Sequence, residues 1–165
     1  MALSVLIFSS LLPVSTRAYR SEAFHVRLFQ PPPSYSPAPP STYVRILALF
    51  THPSGARLTL AAERVAPGGR LEDFVAKSRT ALEHQGFRLQ PNSAGTLGPH
   101  ASIRVFGTLV SDGRVLRQLY VLAEPFAYVI TLIGPGSAAA SLERDFEESV
   151  ASFTVDGTTV APVPR

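Results

Sequence analysis

The stretch SIRVFGTLVSDGRVLRQLYVL, residues 102–122, decides the fold that we predict for this chain. Two apolar runs flank Asp112 and Gly113, a dipeptide that tolerates the positive φ angles of a two-residue β-turn. The stretch therefore predicts an antiparallel hairpin. A two-residue turn also predicts the register, in which the facing pairs are Val110 and Val115, Leu109 and Leu116, Phe106 and Leu119, and Val105 and Tyr120.

Both faces of this hairpin are apolar. One face carries Ile103, Val105, Leu109, Leu116, Tyr120 and Leu122. The second face carries Arg104, Phe106, Thr108, Val110, Val115, Arg117, Leu119 and Val121. Neither face suits open water, so each needs a cover.

The second face has two interpretations, which its sequence leaves open. A helix can cover it as ordinary core. Alternatively it is a groove for an apolar partner, or the contact surface of a homodimer, because the two arginines can bury their stems and keep their charged heads in water. On the second interpretation we expect a protein-binding site formed by Arg104, Phe106, Val110, Arg117, Leu119 and Val121.

Four further strands precede and follow the hairpin. Residues 44–50 are apolar on both sides and predict a central strand, and residues 56–65 alternate as its hairpin partner across the turn at residues 52–55. Residues 24–29 predict a strand with Phe24, Val26 and Leu28 on one face. Residues 126–133 predict another strand that is buried on both sides.

Two amphipathic helices complete the pattern. The first has an apolar stripe with helical spacing and stops at Gly86, which supplies a left-handed C-terminus. Its stripe consists of Leu71, Phe74, Val75, Ser78 and Leu82. The second places Leu142, Phe146 and Val150 on one face after Ser137 as N-cap. The predicted fold class is α+β, with an antiparallel sheet of about six strands packed by the two helices.

The 165 residues suit one domain. We predict an apolar N-terminal segment over residues 1–18, a single domain over residues 19–155 and a mobile tail over residues 156–165. Residues 31–40, rich in proline, predict a surface loop. The N-terminal segment lacks the basic start of a signal peptide, so we expect a cytoplasmic protein; cleavage after Ala18 would instead make it a periplasmic or exported one.

Composition excludes several classes of function. The chain has no cysteine, and its net charge is only +3. A net charge of this size is too small for a nucleic-acid-binding surface, and Arg104 and Arg117 lie among apolar residues. No apolar run reaches the roughly 18 residues that span a bilayer, so we expect no integral membrane span.

Catalytic patterns are absent from the sequence. His25, His52, His84 and His100 lie near strand edges, turns or helix ends without ligand spacing, and the acidic residues 143, 145, 147 and 148 are typical of a solvated helix face. Ser54 beside His52 is a remote candidate for a serine hydrolase, but residues two apart on a turn seldom form the required hydrogen bond. We therefore expect no enzyme, no cofactor and no metal site.

Several segments resemble the DcrB-related family, which is similar to the PsbP-like α/β/α sandwich proteins. The resemblance covers roughly residues 24–155 and is carried by residues 54–60, 71–74, 86–88, 113–121, 127–132 and 152–153. It implies a non-enzymatic protein-binding domain. Its relatives include envelope proteins, photosystem accessory subunits and chaperones of type VI secretion effectors. The resemblance thus favours a chaperone or adaptor for a secreted effector with apolar segments, and an exported envelope accessory protein is the alternative.

Overall fold

A computed structural model describes residues 17–39, 42 and 45–156 of the chain. The predictions for residues 1–16 and 157–165 lie outside this part, as does Val44. The strands are β1 (Tyr19–Ser21), β2 (Val26–Phe29), β3 (Ser36–Pro37), β4 (Ile46–Thr51), β5 (Arg57–Arg64), β6 (Phe87–Leu89), β7 (Ser93–Leu97), β8 (His100–Leu109), β9 (Val115–Ala123), β10 (Phe126–Gly134) and β11 (Thr154–Val155). The helices are α1 (Leu71–His84) and α2 (Ala139–Ser152).

The strands form two antiparallel sheets. The larger has the order β3-β4-β5-β10-β9-β8-β6, and β7 also pairs with β8. The smaller has the order β1-β2-β11. This architecture confirms the predicted α+β class. The larger sheet has eight strands rather than about six, because the short strands at its edges carry too few residues to show an alternating pattern.

The large sheet is the middle of three layers. On one face lies α1, and on the other lie α2 and the small sheet. The main core fills the second side, where inward residues of β5 and β10 are fully covered. Its largest members are Phe29, Tyr35, Leu58, Leu60, Leu119, Tyr128, Ile130, Leu132 and Phe146.

The β8–β9 hairpin forms, but its predicted register is wrong by two residues. The observed pairs include Ile103 with Tyr120 and Phe106 with Arg117. The loop spans residues 110–113, since the Leu109 amide donates to the Arg114 carbonyl at 2.8 Å. Gly113 takes the left-handed φ of 72° inside this four-residue loop. A shift of two residues keeps every side chain on its predicted face.

Two predictions about the first half of the chain are corrected. The strand predicted for residues 44–50 is not central: β4 is second from the edge, and its residues are mostly half-buried. The proline-rich residues 31–40 are not only a surface loop, because Pro31, Pro32 and Tyr35 are buried. Tyr35 anchors this segment in the core, where its hydroxyl donates to Asp145 at 3.3 Å.

Both helices form where predicted, and their apolar stripes face the sheet. Gly86 follows α1 with a φ of 92°, as expected for its stop signal. The α2 start differs from the prediction. Ser137 lies in a short 3₁₀ turn, Gly136–Ala138, and the N-cap residue is Ala138, which has no side-chain hydrogen bond.

Candidate functional site

The second face of the β8–β9 hairpin is covered by α2. Leu119 and Val121 are 1% and 0% exposed. They belong to the same core as the α2 residues Leu142, Phe146 and Val150. The cover that this face requires is therefore an intramolecular helix, the first of its two interpretations.

Arg104 and Arg117 hold α2 at its rim. Arg104 forms an ion pair with Glu147, and the Arg117 Nε donates to Glu143 at 2.5 Å. The Arg117 guanidinium also lies 4.7 Å from the ring centre of Phe106, a cation–π distance. The prediction that the acidic residues form only a solvated helix face is thus wrong for Glu143 and Glu147, and also for Asp145, which accepts from Tyr35 and is only 13% exposed.

The six residues predicted as a binding site do not come together as an open groove. Phe106 packs edge-to-face on Phe146, with ring centres 6.3 Å apart. Val110 is 65% exposed and lies beyond the end of β8. Its amide donates to the Gly86 carbonyl at 3.1 Å. An apolar partner could reach Val110, but it could reach Leu119 and Val121 only by displacing α2.

The residues that the structure describes cover only part of the opposite face of the large sheet. The helix α1 packs on β6, β8 and β9. A helix is about 10–12 Å wide and strands are spaced about 4.8 Å apart, so one helix covers two or three strands. The same face of β4, β5 and β10 is left beside the helix, and its residues Thr59, Ala61, Val129 and Thr131 are half-buried.

The space between α1 and these strands is a cleft of about 340 Å³, which we call the α1 cleft. Its floor is formed by the sheet and one wall by α1. The lining residues are Arg45, Ile46, Thr59, Ala61, Ala62, Glu63, Phe74, Ser78, Ala81, Leu82, Gln85, Gln118, Tyr120, Val129 and Thr131. This volume lies within the range of natural binding pockets.

A chain of hydrogen bonds crosses the floor of the α1 cleft. The Tyr120 hydroxyl donates to Gln118 Oε1 at 2.7 Å, and Gln118 Nε2 donates to Thr131 Oγ1 at 3.0 Å. Burial raises the pKa of Tyr120, and the neighbouring Ser78 and Arg79 oppose that rise. Tyr120 therefore stays neutral at physiological pH. This chain makes the floor polar but uncharged.

Charge in the α1 cleft is confined to one end. There Arg45 Nη1 donates to a Glu63 carboxylate oxygen at 2.8 Å. The two side chains neutralise each other, and both are partly exposed. The arrangement favours an uncharged segment with apolar side chains over an anion or a cation.

Sequence reasoning missed this cleft because it recognised the alternation of residues 56–65 but not what covers the side that carries Thr59 and Glu63. One signal was available. Ala61 and Val129 are apolar residues on that same side, and a single 14-residue helix on this face is too narrow for a wide sheet.

The histidine and serine of the β4–β5 turn form the hydrogen bond that we expected to be rare. His52 Nδ1 and Ser54 Oγ are 2.8 Å apart. The Ser54 amide also donates to Nδ1, at 3.1 Å, so the imidazole serves as an acceptor that closes the turn. No carboxylate is hydrogen-bonded to His52 among the described residues.

His100, predicted near a strand edge, turn or helix end, is buried. It is 8% exposed at the start of β8, and burial lowers the pKa of its imidazole. Among the described residues, no three histidine or acidic side chains are grouped as a metal site requires. The helices in this part of the chain are too short and too polar to cross a membrane.

Comparison with known proteins identifies the fold. No protein-family model and no curated protein matches the chain by sequence. Several solved structures match it in three dimensions, among them three that bear on its fold. Protein PA94 of unknown function from Pseudomonas aeruginosa has a TM-score of 0.58 and 17% identity, over 86% of this chain and 97% of PA94.

The other two structures have similar scores. The cyanobacterial PsbP protein CyanoP from Synechocystis sp. PCC 6803 has a TM-score of 0.66 and 12% identity, over 90% of this chain and 99% of CyanoP. LpqN, involved in cell envelope biogenesis of Mycobacterium tuberculosis, has a TM-score of 0.61 and 14% identity, over 76% of this chain and 82% of LpqN. The chain has the PsbP-like fold.

Proposed function

We propose that the chain is a non-enzymatic accessory protein that binds an apolar segment of another protein in the α1 cleft. The observation that carries this proposal is the half of this sheet face beside α1, which no other described helix or strand covers. On the other face of the sheet, α2 and the small sheet bury the same strands. The exposure of these strands is therefore limited to the face that carries α1.

The shape of the α1 cleft favours a polypeptide over a compact small molecule. Phe74 and Gln85 line it near opposite ends of α1. At roughly 1.5 Å per helical residue they are about 16 Å apart along the axis. That length matches about five residues of extended chain. An elongated trough of this size suits an extended segment or a short helix.

The chemistry of the cleft selects an uncharged segment. Apolar side chains would bury against Ile46, Ala61, Phe74 and Val129, contributing on the order of 25 cal/mol per Å² before ordering costs are subtracted. Thr131 accepts a hydrogen bond from Gln118, so its own hydroxyl proton is available to a carbonyl of the segment.

The resemblance to the DcrB-related family supports a finer version of this proposal. A chaperone or adaptor for a secreted effector of the type VI kind would shield an apolar effector segment in such a cleft. Five of the six residues first predicted for partner binding lie under or beside α2, and the sixth, Val110, is exposed beyond the end of β8. We therefore propose the opposite face as the binding site.

A peptide-binding experiment tests the proposal. The probe is a dansyl-labelled peptide of alternating leucine and alanine, about ten residues long so that it exceeds the cleft, with lysines at both ends for solubility. We expect saturable binding, and a loss of at least about tenfold in affinity, or roughly 1.4 kcal/mol, in Ala61→Arg. That variant places a charged side chain on the cleft floor.

The matched control is Ala76→Arg, which makes the same change on the exposed side of α1. It should bind the peptide as the unmodified protein does. Thermal unfolding checks that both variants are folded. Equal binding by the two variants, or no saturable binding by the unmodified protein, would show that the α1 cleft does not hold apolar segments.

An exported accessory role in the cell envelope is the alternative supported by one likeness, that to LpqN. N-terminal sequencing of the protein from its native cells tests it. A mature chain that starts at Tyr19 would support export, and a chain that starts at Met1 would support the cytoplasmic chaperone.

The second candidate function belongs to a different class, the serine hydrolases. The hydrogen bond between His52 and Ser54 favours it. Hydrolysis of p-nitrophenyl acetate that disappears in both His52→Ala and Ser54→Ala would establish it. A rate unchanged by either substitution would assign the pair to the turn alone.

A further inference from the structure

The strand β7, with the sequence Ser-Ala-Gly-Thr-Leu, forms an outer edge of the large sheet. It pairs with β8 from Ser93 opposite Arg104 to Leu97 opposite His100. Its residues are exposed except for Leu97, which is half-buried. Because β7 pairs on one side only in the described part of the chain, its other side presents free backbone amides and carbonyls.

The two edges of the large sheet differ in how they are protected against pairing with a strand of another molecule. The opposite edge is β3, which has two residues, and one of these is Pro37, which lacks an amide proton. Natural edge strands are usually shielded by charge, proline, a bulge or shortness. Within residues 93–97 there is no charged residue and no proline. The edge at β7 is thus open to pairing with another strand.

We propose that β7 pairs with β7 of a second copy of this chain. An antiparallel pair centred on Gly95 would place the two Gly95 residues opposite each other, Ser93 opposite Leu97, and Ala94 opposite Thr96. Every facing pair is uncharged, so the backbones can approach without charge repulsion. The two large sheets then become one continuous sheet across a two-fold axis, an isologous contact.

This interface is independent of the function proposed above. The α1 cleft involves β4, β5 and β10, whereas β7 lies at the far edge beyond β8. A five-residue strand buries less surface than the roughly 1,600 Å² of a standard interface. We therefore expect a weak dimer that forms and dissociates with protein concentration.

Sedimentation equilibrium over a range of protein concentrations measures this association. The apparent mass should rise from 17.7 kDa towards twice that value. Gly95→Lys tests the geometry, because it sets two like charges directly opposite each other. A side chain fits at this position: its Cβ would lie 3.6 Å from Ser102 Oγ, an ordinary contact, and the glycine does not have a positive φ.

We expect Gly95→Lys to weaken the dimer roughly fivefold, as expected for directly opposed like charges. Gly95→Glu should weaken it similarly, and an equimolar mixture of the two variants should restore association through opposite charges. Gly95→Ala is the neutral control and should dimerise like the unmodified chain. Unfolding curves verify that each variant is folded.

Two results would overturn the proposal. The first is a protein that stays monomeric at every concentration, which would leave the edge to a strand from a different protein. The second is a dimer that Gly95→Lys does not weaken, or that the mixed variants do not restore. Such a dimer would use another surface.

Discussion

Arg117 on β9 donates from Nε to a carboxylate oxygen of Glu143 on α2 at 2.5 Å, and this contact joins the sheet to the helix that covers it. The Arg117 side chain is 16% exposed, whereas Glu143 is more open. The pair therefore lies at the boundary between core and solvent. An arginine that one of the two interpretations of the sequence placed at the solvated edge of a groove instead fastens α2 to the sheet.

Removing this contact should destabilise the fold modestly. In a double-mutant cycle of Arg117→Ala and Glu143→Ala, we expect a coupling free energy of about 1 kcal/mol, because the bond is charge-assisted but partly screened by solvent. Urea unfolding measures it. The exposed pair Arg70 and Glu72, 3.6 Å apart, is the control and should show almost no coupling. Equal coupling in the two pairs would contradict this interpretation.

Placing a carboxylate beneath α2 should be far more damaging. Leu119→Asp forces a charge into the core and should cost more than about 3 kcal/mol, enough to unfold a marginal domain. Phe106→Asp should destabilise less, since Phe106 is only partly buried. Val110→Asp, at an exposed position on the same predicted face, should change the stability by less than about 0.5 kcal/mol. Circular dichroism melts compare the three. A folded Leu119→Asp variant would mean that α2 does not seal this face.

Lowering the pH should reduce the stability of the folded protein, because His100 is buried. Burial lowers the pKa of this imidazole from its ordinary value of 6.5, so its contribution to stability is complete above the unfolded pKa. Below that value the unfolded chain binds the proton first, and stability falls until the pH passes the lower pKa of the folded state. Urea midpoints between about pH 8 and pH 5 should therefore drop more in the unmodified protein than in His100→Gln. Parallel pH profiles for the two would exclude His100 as the cause.

Alkali should reveal three buried tyrosines. Burial raises the pKa values of Tyr35, Tyr120 and Tyr128 above the ordinary value of 10, and nearby Asp145 adds to the effect on Tyr35. Their neutral forms favour the folded state, so stability is intact below pH 10 and decreases as the pH rises above it. In an absorbance titration at alkaline pH, we expect these three to ionise only as the protein unfolds. Ionisation of all five tyrosines near pH 10 in a folded protein would contradict their burial.

Local patterns predicted most of the fold. The α1 stripe, the β4–β5 and β8–β9 hairpins and the apolar face of α2 all depend on side-chain periodicity along one segment, which the sequence displays directly. The register of the β8–β9 hairpin failed because loop length depends on backbone geometry around Gly113, and Asp-Gly occurs in more than one kind of loop. The short strands β3, β6 and β7 failed because their pairing is determined by neighbours distant in sequence.

The candidate site was harder to predict because it depends on which part of each sheet face a helix covers. Phe106, Leu119 and Val121 share a face with Arg117, and the sequence established that this face needed a cover. It could not establish that α2 supplies that cover and that, in the described part of the chain, α1 lies beside β4, β5 and β10 on the other face rather than over them. The face of the sheet on which a side chain lies follows from its odd or even position along the strand. The position of a helix across the sheet follows instead from long-range packing.

The sequence by itself determined the α+β class, the two helices, the main hairpins and the face on which each of their side chains lies. Only the tertiary structure decided that Leu119 is core, that Thr131 and Gln118 form the floor of a cleft, and that Gly95 lies on an open edge. The periodicity of apolar side chains is visible in neighbouring residues of the sequence, but the solvent exposure of a side chain depends on which element packs on which face. A helix about 10 Å wide cannot cover a sheet of eight strands, so in the described part of the chain β4, β5 and β10 lie beside α1 on that face.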